Sequence, residues 1–167
     1  MQWLITFGLA LYSFFLIELN MSRLPARIPM HFNTAGEADG WGGRGTLWVL
    51  LLAQVSISVL FLLIPILARR FPGTVNIGSR NLSDFTPEQR DRVVPLFSAM
   101  MGNMSVLISL LLSVLMLETI RAASSRHPHI TGWWELGLFL AGIAVNIIYY
   151  SRRMLGVANE SRSEKPA

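Results

Sequence analysis

The chain has 167 residues, 52% of them hydrophobic and 14% charged, with a net charge of +4 and a mean hydropathy of +0.47. So much apolar composition leaves no room for a soluble catalytic domain beside its membrane segments, and the scattered basic residues form no compact nucleic-acid face. There is no cysteine, which excludes disulfides, Cys-ligated metals and thiol nucleophiles.

Four long apolar runs cover approximately residues 3–19, 46–68, 96–117 and 133–150. Each is long enough to cross a hydrocarbon core of ~30 Å as a helix rising ~1.5 Å per residue. Lipid satisfies no bare backbone group, so the runs must be helical. The expected fold is therefore all-α: a polytopic membrane protein in one membrane domain, 1–167, with four transmembrane helices. The connecting segments are an outer loop at 20–45, an inner loop at 69–95, a second outer loop at 118–132 and a tail at 151–167.

The first run reads as a retained span rather than a signal peptide. Only Met1 and Gln2 precede Trp3, and Leu19-Asn20-Met21 is a poor cleavage site.

The loop that follows, Leu24–Trp41, carries the most specific pattern. Pro25 and Pro29 forbid a regular helix and favour an extended chain, while Thr34-Ala35-Gly36 and Asp39-Gly40 are turn chemistry. A short hairpin-like lid is expected, with Gly36 and Gly40 able to take positive φ and Phe32 and Trp41 available to pack at the interface. His31, Glu37 and Asp39 offer an imidazole and two carboxylates. His127, His129, Glu18, Glu118 and Glu135 are expected on the same side, and a hard or borderline cation can use such groups. Their spacings match no dedicated metal motif, and no metal or other cofactor is assigned. The structural alternative is a bond between His31 and Glu37 that holds the lid closed. The candidate loop motif is Pro25, Pro29, His31, Phe32, Asn33, Gly36, Glu37, Asp39 and Gly40, with no catalytic residue assigned.

The second span contains Pro65, expected to kink it. In the inner loop, Thr86-Pro87-Glu88-Gln89 reads as a helix start, with Thr86 as N-cap, Pro87 at the first helical position and Gln89 closing a capping box. The expectation is a short inner helix on the membrane surface, bent at Pro95 into the third span. A single continuous, kinked helix is the competing possibility.

The third span places Ser98, Gly102, Ser105, Ser109 and Ser113 at helical spacing, a signature of close helix contact. Met100, Met101 and Met104 beside it read as adaptable packing. Trp133-Trp134 and Tyr149-Tyr150 bracket the fourth span like aromatic belts, and Gly137, Ala141 and Ala144 share a face expected to meet a neighbour. Gln54, Ser58, Asn103 and Asn146 are polar within spans and are expected to bond between helices. No ionisable residue lies near the middle of a span, which argues against proton-coupled transport.

Positive residues set the expected orientation. Arg69, Arg70, Arg80, Arg90, Arg92, Arg152, Arg153, Arg162 and Lys165 would share the side of the termini, against Arg23, Arg27, Arg44, Arg121 and Arg126 opposite. The positive-inside bias puts both termini in the cytoplasm. The basic edges suit anionic lipid headgroups.

The pattern at Leu24–Gly40, Leu-Pro-x-x-Ile-Pro-x-His-Phe-Asn-x-x-Gly-Glu-x-Asp-Gly, resembles an uncharacterised bacterial membrane domain, also the N-terminal part of SdpI-type toxin-immunity proteins. Val75-Asn76-Ile77 and Pro87-Glu88-Gln89-Arg90 are loosely similar to the inner loop of its short, stand-alone members. The resemblance implies a multi-pass protein of the bacterial cytoplasmic membrane. It implies no established activity. Three functional classes follow: a non-enzymatic binding, regulatory or immunity-like module using loop 24–41; a small transport or permeation component; and a membrane enzyme. The expected partners are the bilayer and an unknown protein or peptide at the outer face, not nucleic acid.

Overall fold

The computed structural model describes residues 1–128 and 133–163. Its four long helices are α1 (Gln2–Met21), α2 (Thr46–Arg70), α3 (Pro87–Ala123) and α4 (Trp133–Ser163). All four are long and apolar enough to cross a membrane. The all-α, polytopic expectation is met. His129 and Lys165 lie outside the described residues.

Helix α3 is the hub, packing against α1, α2 and α4, whereas α1 and α2 touch each other less. Its small-residue stripe explains why. Gly102, Ser105, Ser109 and Ser113 are all buried, so α1 and α2 can approach one backbone closely, while α4 meets α3 at Met100, Asn103 and Leu107. A Cβ on Gly102 would stand 2.7 Å from Gln2 Oε1, which occupies the space a side chain would need.

The corresponding expectation for α4 is corrected. Gly137, Ala141 and Ala144 are exposed, and nothing lies within 4 Å of where a Gly137 Cβ would be. The helix instead turns Gly142 and Asn146 toward α3, where Gly142 faces Leu107 and Asn146 bonds Met100 and Asn103. Satisfying a buried amide decides the rotation of α4 over packing small residues.

The inner surface helix is also corrected. The capping box forms as read, with Thr86 Oγ1 accepting from Gln89 N–H and Gln89 Oε1 accepting from Thr86 N–H. The helix it starts then runs unbroken through Pro95 for 37 residues. The partner that holds it upright is α4, which continues as helix through the expected tail to Ser163. Val93 and Phe85 pack with Met154, Val157 and Ala158, Gln89 Nε2 donates to Val157 O at 3.2 Å, and Arg92 pairs with Glu160. An apolar face covered this way has no reason to lie on a membrane surface. The proline falls on an exposed side, as does Asp91, whose carbonyl it leaves unbonded within the helix.

The loop between α2 and α3 closes this apolar cluster between α3 and α4. A two-residue ladder pairs β3 (Asn76–Ile77) with β4 (Arg80–Asn81) around Gly78 at φ +63°. Ile77 and Leu82 join the apolar cluster, while Arg80 stacks 4.6 Å over the Phe85 ring and donates to Ala158 O.

Candidate recognition hairpin

Between α1 and α2, β1 (Arg27–Phe32) pairs antiparallel with β2 (Ala38–Gly43). The two prolines do what their fixed φ allows. Pro25 is exposed on the approach, and Pro29 is buried within β1 opposite Trp41. Ile28 next to it is completely buried among Ile17, Leu24, Leu47, Met116 and Ile120, which keys the hairpin into the core of α1, α2 and α3. Fully burying such a side chain contributes about 1.5–3 kcal/mol.

Register shifts on both sides of His31 give the ladder an irregular step. There His31 pairs with Gly40. A Cβ on Gly40 would lie 2.8 Å from His31 Cβ, so this glycine is required by close strand approach. Positive φ, expected for both turn glycines, occurs at Gly36 (φ +85°) but not at Gly40.

The tip is organised by Asn33. Its Oδ1 accepts from Ala35 N–H at 2.9 Å and Glu37 N–H at 3.0 Å, its N–H donates to Glu37 O at 2.9 Å, and its Nδ2 donates to Glu37 Oε2 at 3.2 Å. This is an Asx turn, the local alternative to a ladder that Asn offers the backbone. The expected His31–Glu37 strut is therefore corrected: Glu37 belongs to Asn33, and His31 Nδ1 faces Asp39 Oδ1. Residues 31 and 39 face each other across the irregular step, while Glu37 has already entered the turn.

Two attachments escaped sequence reading. Arg44 donates from Nη1 to Met21 O at 2.9 Å and Leu24 O at 3.1 Å, capping carbonyls at the end of α1 from the far side of the hairpin. Ala38 N–H donates to Pro128 O at 3.2 Å, joining the hairpin to the loop after α3. Arg44 counted only as a positive charge, and no local pattern announces a long-range backbone bond.

The exposed rim of this anchored hairpin carries Trp41, 48% exposed, and the His31 and Asp39 side chains, 72% and 45% exposed. Phe32 is half-buried. Among the described residues no three His, Asp or Glu side chains converge on one point, and His127 is exposed. Glu118 is taken by Arg121 at 2.8 Å.

The polar residues of the spans bond one another as expected. Gln54 Nε2 donates to Ser109 O and Ser113 Oγ, both at 3.3 Å, Ser58 reaches Gln54 O and Ser109 Oγ, and Ser13 shares a bond with Ser113 at 2.8 Å. Toward the opposite end, Asn103 accepts from Gln2 and donates to Asn146 Oδ1 and Tyr150 OH. These groups hold helices together in lipid, each bond contributing roughly 0.6–2 kcal/mol.

The geometry thus defines a multi-pass membrane bundle with a bulged hairpin locked onto one end. Residues 4–55 match the family model of a domain of unknown function (DUF1648), which spans α1, the hairpin and the start of α2. The match ends before Val75–Ile77 and Pro87–Arg90. Searches of curated proteins and of solved structures found no match.

Proposed function

We propose that this protein is a non-enzymatic module of the bacterial cytoplasmic membrane that uses its hairpin to bind a protein or peptide at the outer face. The observation that carries the reading is a hairpin with its backbone fixed from four sides that still leaves a large aromatic exposed. Ile28 anchors it in the core, Asn33 closes its tip, and Arg44 and Pro128 tie its flanks. Trp41 beside the His31–Asp39 pair then offers a rigid amphipathic surface with little conformational entropy to lose on binding. The distribution of arginines, with Arg69-Arg70 and Arg152-Arg153 at the end opposite the hairpin, supports a cytoplasmic side for both termini. Immunity against an outer-face toxin is one form such binding would take.

Binding is favoured over permeation because Gln54, Asn103 and Asn146 bond protein groups on neighbouring helices. The test is a photo-crosslinking residue introduced in place of Trp41 in whole membranes, with the same substitution at lipid-facing Val145 as control. A discrete protein or peptide adduct at position 41 alone, lost when Gly36→Val is added, supports the reading. Identical lipid-only adducts at both positions would refute it.

A further inference from the structure

Helices α1 and α2 each pack on α3 and leave a groove between themselves. Its middle is a hollow of about 380 Å³ bordered by Phe7, Ala10, Leu11, Leu51, Val55 and Val59. It continues past Trp3 and Leu62, which line both parts, into a hollow of about 560 Å³ at the end opposite the hairpin. That end is bordered by Arg69, Arg70 and Ser98. The polar residues of the middle part, Thr6 and Ser58, are already bonded to Ser105 and to Gln54 and Ser109. What remains is an apolar trough with cations at one end.

The two arginines are exposed and make no hydrogen bond or ion pair with the described residues. The side chains of Arg44, Arg80, Arg90, Arg92, Arg121 and Arg153 are bonded, whereas those of Arg23, Arg27, Arg126 and Arg152, likewise without a partner among the described residues, do not border the groove. Asp91 borders the neighbouring hollow with Arg69 and Arg90 but forms no ion pair with them. Ser98 Oγ, at the same end of the groove, is buried and has no partner. A buried hydroxyl is seldom left unbonded.

We propose that this groove holds an anionic phospholipid, with an acyl chain along α1 and α2 and its phosphate between Arg69 and Arg70. Ser98 Oγ then donates to an ester or phosphate oxygen. The trough supplies the apolar contact, and the arginine pair supplies charge-assisted bonds at the depth where headgroups lie. A helix of a second copy fits less well. Inserted with the same orientation, it brings its own arginines to the end that already carries Arg69 and Arg70.

The full-length protein can be extracted from vesicles of mixed phosphatidylglycerol and phosphatidylcholine and weighed by native mass spectrometry. The expected result is a retained one-to-one phosphatidylglycerol adduct. R69Q/R70Q should lower its ratio to the phosphatidylcholine adduct roughly tenfold or more, from two headgroup-level charges. R152Q/R153Q, at the same end but outside the groove, should leave the ratio unchanged. Ala10→Phe, which fills the trough and keeps both charges, should lose the adduct. An R69Q/R70Q ratio equal to wild type, an equal fall in R152Q/R153Q, or a dimer in place of the lipid adduct would overturn the proposal.

Discussion

His31 and Asp39 face each other across the bulged step of the hairpin, imidazole Nδ1 against carboxylate Oδ1, with Gly40 directly opposite the histidine backbone. The contact ties the two strands at their most irregular point, and both side chains remain reachable from water. His31 is thus a strut between the strands, and under the proposed binding role it is also a surface that a partner would touch.

His31→Ala is expected to weaken partner crosslinking at position 41 while leaving the amount of protein in the membrane near wild type. An exposed pair contributes at most about 1 kcal/mol to stability. The check is crosslink yield alongside membrane abundance. A matching fall in both would assign His31 a structural role only.

Ser109 is 1% exposed on the face of α3 that meets α2, whereas neighbouring Leu110 is 39% exposed. Ser109→Leu should force the axes apart and cost about 1–3 kcal/mol by overpacking. Leu110→Ile should cost clearly less. Melting in detergent compares them directly, and equal losses would mean that the stripe does not hold the bundle.

The clasp between α3 and α4 should depend on pH. Arg92 donates to Glu160 at 2.5 and 2.9 Å, and these bonds hold the Glu160 carboxyl below the usual glutamate range and raise the Arg92 guanidinium. A carboxyl with a lowered folded-state pKa contributes stability above its unfolded value and loses it as pH falls through the folded one. Acidification below the ordinary glutamate range should therefore loosen the ends of α3 and α4, read as faster amide exchange around Val93 and Val157. In Glu160→Gln that acid-dependent increment should disappear.

The absence of cysteine makes orientation directly measurable. Thr34 at the hairpin tip and Ser79 in the β3–β4 turn are both exposed. An impermeant thiol reagent added to intact cells should label Thr34→Cys and spare Ser79→Cys. The reverse pattern would invert the topology.

What could be read from the sequence followed local physics. Apolar length gave four helices, spacing gave the buried α3 stripe, and Thr86 with Gln89 gave the start of α3 to the residue. Pro29 and Gly36 gave the extended strand and the turn. The errors arose where a distant partner decided the outcome. Asn146 set which face of α4 packs, overriding Gly137, Ala141 and Ala144, and the extension of α4 to Ser163 turned an expected surface helix into part of α3. The partner of His31 depended on a register shift that residue types do not encode, and Arg44 reached back across more than twenty positions of chain.

The most direct test of a preorganised hairpin is protease protection of residues 24–41 in the membrane, comparing wild type with Gly36→Val. Gly36 is buried at φ +85°, a conformation a β-branched residue adopts only at a cost of roughly 1–3 kcal/mol. The spans owe their insertion to apolar length, so protein levels should stay unchanged. The loop should resist cleavage in wild type and be readily cut in Gly36→Val. Equal resistance in the two proteins would contradict a preorganised hairpin.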